Sequence, residues 1–106
     1  MKWKNLACTT TYFVTATITR WRPLLAQDQP RSIVLADLDF YRRKYSSKIM
    51  AYVIMPEHYH LVVRFVRPED LHPWLHDMQS HTSNEMGKWL RRNASPEELE
   101  VLLLTA

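Results

Sequence analysis

Glycine and cysteine each occur once in these 106 residues, as Gly87 and Cys8. A single glycine is too few for the glycine-rich loops that cradle nucleotide or dinucleotide phosphates, which argues against both. One cysteine excludes an intramolecular disulfide and fits a reducing compartment. No run approaches the ~18 consecutive apolar residues of a membrane span. Leu6-Ala7-Cys8 resembles a lipoprotein cleavage site, but no apolar segment precedes it. Internal repeats and low-complexity tracts are also lacking. The expectation is a cytoplasmic protein.

What remains is enough for a core. Hydrophobic residues make up 46% of the chain, and 106 residues is close to the commonest size for one domain. Residues 1–106 are read as that single domain. Fourteen Lys and Arg against eleven Asp and Glu give a net charge of +3, mildly basic and compatible with a nucleic-acid partner.

Hydrophobic period divides the chain into elements. From Thr11 to Trp21, Tyr12, Val14, Ala16 and Ile18 alternate with Thr15, Thr17 and Thr19, as in a half-buried strand. Arg20-Trp21-Arg22-Pro23 ends it, and Leu24 to Pro30 reads as a loop. Trp21 between two arginines can stack on a base or cover the sheet edge. Val34, Leu38, Tyr41 and Tyr45, with Ile33 and Phe40, set a helical period from Ser32 to about Tyr45. Arg42-Arg43-Lys44 closes that helix, where cations complement the dipole and can also meet phosphate. Lys48 to Met55 is apolar on both faces and reads as a central strand.

Pro68-Glu69-Asp70 opens a second helix, with Leu75, Met78, Thr82, Met86 and Trp89-Leu90 on its apolar face to about Arg92. Pro73 is tolerable there only in the first turn. His72, His76 and His81 are read as surface or capping residues. Ser95-Pro96-Glu97-Glu98 is a capping box that starts a short third helix through Leu104. Its apolar tail, Leu99 to Leu104, needs a surface to pack on.

The chemistry concentrates in Met55-Pro56-Glu57-His58-Tyr59-His60-Leu61-Val62-Val63. Alternate side chains of a strand share a face, so His58 and His60 project together while Tyr59, Leu61, Val63 and Phe65 form the core side. Two imidazoles on one face can share a divalent metal. An arbitrary His-x-His is more often two solvated or satisfied polar residues. Here the strand phase, the preceding proline turn and the in-phase Arg64 favour a site. Pro56-Glu57 makes an antiparallel hairpin with the preceding strand. The order strand, helix, strand, strand, helix is then the ferredoxin-like α+β pattern, β-α-β-β-α without its final strand. It predicts an antiparallel sheet, the first strand beside the histidine strand, and helices on one face.

Tyr12 to Thr17 with the arginine-bearing loop, Ala51 to Val63, and Met78 to Leu90 resemble three segments of the HUH-type single-tyrosine transposases, in particular the REP-associated tyrosine transposases. The resemblance covers about residues 11–92, leaving 93–106 as a divergent tail. It implies binding of single-stranded or hairpin DNA on the sheet, with His58 and His60 holding Mg²⁺ or Mn²⁺. In the family a tyrosine on a later helix attacks the scissile phosphorus, leaving a 5′-phosphotyrosyl link and a free 3′-OH. Tyr59 matches the hydrophobic middle position, and no tyrosine follows it. Tyr12, Tyr41, Tyr45 and Tyr52 do not match the nucleophile's place. The expectation is a C-terminally truncated form lacking the last strand, the nucleophile helix and a third metal ligand. A homodimer, or a second chain supplying that helix, would complete it. Arg20, Trp21, Arg22, Arg42, Arg43, Lys44 and Arg64 are the candidate DNA contacts. A non-catalytic DNA-binding module and an inactive remnant are the alternatives.

Overall fold

Alternation builds the sheet, and a helical stripe builds what covers it. The computed structural model describes residues 10–18, 22–93, 95 and 97. Its elements are β1 (Thr11–Thr17), α1 (Asp28–Lys44), β2 (Lys48–Ile54), β3 (His58–Arg64) and α2 (Leu71–Asn93), with 3-10 turns at Leu24–Ala26 and Pro68–Asp70. The fold is α+β: an antiparallel three-stranded sheet in the order β1-β3-β2, with two helices. This is the expected β-α-β-β-α arrangement.

β3 pairs on both sides, so its alternation sorts side chains most strictly. Tyr59, Leu61 and Val63 are buried, followed by Phe65, while His58, His60 and Val62 are half-buried on the opposite side. α1 and α2 pack against the buried face through Val34, Leu38, Trp74, Met78 and Met86. Tyr12, Val14 and Ala16 of β1 join them, as their phase predicts.

α1 begins at Asp28, so the expected loop from Leu24 to Pro30 is a 3-10 turn running into helix. Pro30 is buried in the first helical turn, where its missing N–H removes no intrahelical bond. Phe40, counted with the apolar stripe, is 53% exposed and meets Tyr41 edge-on instead. α1 ends in a Schellman turn. Ser46 N–H donates to the Arg43 carbonyl and Ser47 N–H to the Arg42 carbonyl, with Ser46 at φ 49°.

The Lys48–Met55 strand is not central. Among the described residues β2 pairs with β3 alone, and Met50, Tyr52 and Val53 are each about half exposed. A bulge between Ile49 and Ala51 accounts for the difference from the expected central strand. Ile49 faces Val63 and Tyr52 faces Leu61, both on the core side, although three positions separate them. One extra residue shifts the phase, so apolar side chains fall on both faces without both being covered. β1 ends at Thr17, short of the expected Trp21. Thr19, Arg20 and Trp21, Cys8 and most of the expected third helix lie outside the described residues. Among the described residues no helix is long and apolar enough to cross a membrane.

Candidate functional site

Backbone hydrogen bonds hold the turn before the histidines. Ile18 N–H donates to the Glu57 carbonyl at 2.8 Å and Leu25 N–H to the Pro56 carbonyl at 2.9 Å. Met55 N–H donates to the His58 carbonyl at 2.7 Å, closing the hairpin link. His58 therefore enters β3 at a defined height, opposite Thr17, and His60 lies opposite Thr15 and Val53.

The two imidazoles meet edge to face, with centroids 4.7 Å apart and planes at 78°. Thr15 Oγ1 lies 3.0 Å from His60 Nδ1, and Phe13 stacks on the same ring at 5.5 Å and 25°. A carboxylate oxygen of Glu57 is 3.6 Å from His58 Nδ1. Rings this close can offer two nitrogens to one divalent ion, so the donor set fits half of a metal site. Among the described residues no third His, Cys, Asp or Glu completes it.

Tyr59, between the histidines in sequence, points the other way. It is 8% exposed, and burial, helped by the Asp37 carboxylate, pushes its phenol up to about 12. None of the five tyrosines stands beside the imidazoles. Tyr12 packs into the core, Tyr41 and Tyr45 belong to α1, and Tyr52 sits opposite Leu61 on the helix side.

The candidate basic residues are scattered. Arg64 lies on the histidine face at the far end of β3, its Nε donating to Thr11 Oγ1 at 3.1 Å, with Lys48 directly across. Arg64 and the exposed Phe13 share the face with the histidines, whereas Lys48 also lines a groove against α1 with Leu35, Leu38, Asp39 and Arg42. Arg42 and Arg43 both bind Asp39 on their own helix, and Lys44 Nζ donates to Asp77 of α2 at 2.9 Å. The triplet is thus on the helical layer and already paired. Arg22 is half-buried at a groove of about 490 Å³ between β1 and α2, lined by Ala16, Ile18, Met78 and Met86. Arg20 and Trp21 lie outside the described residues.

Sequence reasoning passed over the residues that surround the pair. Thr15 and Phe13 could have been found by carrying the phase of β1 across to β3. It also passed over Asp37, buried between the helices, which accepts from Thr82 Oγ1 at 2.7 Å and lies 2.8 Å from His81 Nδ1. His81 is therefore a helix-bridging residue, not merely a surface one. Beside it, Tyr45 Oη donates to Asp77 at 2.6 Å. That hydrogen bond, with the one from Lys44, holds the Asp77 carboxyl below its ordinary range.

No family model matches the chain, and no curated protein matches it significantly. Among solved structures it is similar to a REP-associated tyrosine transposase bound to a REP hairpin, with 18% identity and a TM-score of 0.65. The match covers 82% of this chain and 53% of that one, so this chain spans about half the length of the protein it matches. At that identity the likeness is one of fold.

Proposed function

We propose that the chain is a transposase-like DNA-binding protein that takes single-stranded or hairpin DNA on the sheet face opposite its helices. His58 and His60 supply two ligands to Mg²⁺ or Mn²⁺ there. The observation that carries the reading is the imidazole pair, 4.7 Å apart on the sheet face that, among the described residues, no helix covers, in a fold shared with a hairpin-bound transposase. A divalent ion held there would polarise a phosphate as a Lewis acid. The chain's own groups do the rest: Phe13 offers a ring for base stacking, and Arg64 meets a backbone phosphate.

The five tyrosines are all turned away from the pair, so strand cleavage of the single-tyrosine type draws its nucleophile from outside these 106 residues. That same observation favours a second reading, a DNA-binding module with no cleavage of its own.

One assay series tests both. Mn²⁺ binding is followed for the protein and for the His58→Ala/His60→Ala variant, and hairpin affinity is measured at 50 and at 200 mM salt. The transposase-like reading expects Mn²⁺ binding that the double variant abolishes, and hairpin affinity that rises with Mn²⁺. Salt-sensitive hairpin binding indifferent to metal and to both histidines supports the module. Failure to prefer a hairpin over duplex DNA overturns both.

A further inference from the structure

His60 is held on three sides. Thr15 stands directly across the β1–β3 ladder with its hydroxyl 3.0 Å from Nδ1, Phe13 covers one ring face, and His58 abuts edge to face at 4.7 Å. A neutral imidazole carries one N–H, and the nitrogen without it is the one that can ligate. Thr15 Oγ1 is able to accept or donate, so the hydrogen bond admits two tautomers. Only one leaves a ligand. If Nδ1 carries the proton and donates to Thr15 Oγ1, the lone pair is on Nε2. In the other tautomer the lone pair is spent on the threonine and Nε2 is capped by hydrogen. A metal on Nδ1 would have to displace a hydroxyl already in contact.

We infer that Thr15 is a positioning residue. Its hydroxyl oxygen accepts a hydrogen bond from His60 Nδ1–H and so selects Nε2 as the atom presented to metal, while Phe13 resists rotation of the ring. At His58 the Glu57 carboxylate lies 3.6 Å from Nδ1, an electrostatic contact beyond hydrogen-bond distance. A negative group on that side favours the proton there, which leaves Nε2 for metal on the second ring as well. Groups that hold the far nitrogen of a ligating histidine typically set its tautomer and orientation. The inference rests on reading the pair as half of a metal site.

Thr15→Val keeps the β-branched shape and removes the hydroxyl, and Thr15→Ser restores it. Long-range ¹H–¹⁵N spectra of the metal-free protein report the His60 tautomer, and electron paramagnetic resonance reports Mn²⁺ affinity. The expected result is an Nδ1-protonated His60 in the parent and in Thr15→Ser. Thr15→Val shifts it toward Nε2-protonated and weakens Mn²⁺ binding about 10- to 100-fold. Thermal stability should change little in either variant, since Thr15 is exposed. An Nε2-protonated His60 in the parent, or Thr15→Val binding Mn²⁺ as the parent does, overturns the inference. Should the parent take up no Mn²⁺, the metal reading itself fails and the spectra decide the role of Thr15 alone. An Nδ1 proton lost in Thr15→Val sustains it, and an unchanged tautomer overturns it.

Discussion

Thr82→Val should loosen the two helices by a calculable amount. Thr82 and Asp37 are 9% and 5% exposed, and the threonine hydroxyl donates to the carboxylate at 2.7 Å. Valine keeps the shape and the helical rotamer but removes the donor. A hydrogen bond to an ionised acceptor is worth about 1.5–3 kcal/mol when its loss leaves that acceptor dry. The His81 contact at 2.8 Å remains and its ring is 48% exposed, so the carboxylate is not abandoned. A loss of about 2 kcal/mol is expected, a fall in Tm of roughly 10 °C for a chain of this size. Asp37→Ala should cost a similar amount, about 2 kcal/mol, because it leaves the Thr82 hydroxyl buried without an acceptor. The double variant removes both halves, so its cost should fall short of the sum of the singles by about 1–2 kcal/mol. Thermal and urea unfolding of the four proteins measures the cycle. A cost below about 0.5 kcal/mol for Thr82→Val, or simple additivity, would refute the claim that this clasp joins α1 to α2.

Three further outcomes follow from individual side chains. Tyr59 has its folded pKa raised to about 12, so its contribution is fully present below the unfolded value of 10.0 and is lost as pH climbs to the folded one. Between pH 9 and 11.5 the unfolding free energy of the parent should therefore fall by on the order of 2 kcal/mol more than that of Tyr59→Phe. Asp77 has a lowered folded pKa, so its contribution is present above the ordinary carboxylate value and lost as pH falls through the folded one. Asp77→Asn should flatten that acid limb in a pH titration of stability. Ser46 holds φ 49° without the freedom of glycine, so Ser46→Gly should raise stability by up to about 1 kcal/mol in urea unfolding.

The histidine strand was legible because one face of β3 is wholly apolar and alternation admits only one reading of which way His58 points. β1 was legible for the same reason. β2 was not, since its bulge breaks the period and the sequence alone gives no sign that a residue has been passed over. The Arg42-Arg43-Lys44 triplet looked available because its partners are hidden by distance or by ambiguity. Asp39 lies one turn back, and Asp77 lies on another helix. Asp37 offered a signal that went unused. It sits three residues after Val34 and four before Tyr41, inside the apolar stripe, and a carboxylate placed there has to find donors on whatever helix packs against it.

The bulge in β2 also separates the strand that can absorb a change in length from the strand that cannot. Among the described residues β2 has a free side, so an additional residue swells outward there and the ladder resumes two positions later. β3 is stitched to neighbours left and right. An added residue near its start would carry Tyr59 out to water and turn His58 and His60 in against Leu61 and Val63, or else tear one of the two ladders. Length variation in the hairpin is therefore better absorbed on the Ile49–Ala51 side, and the facing of the imidazoles is guarded by β3, the strand that among the described residues is paired on both sides.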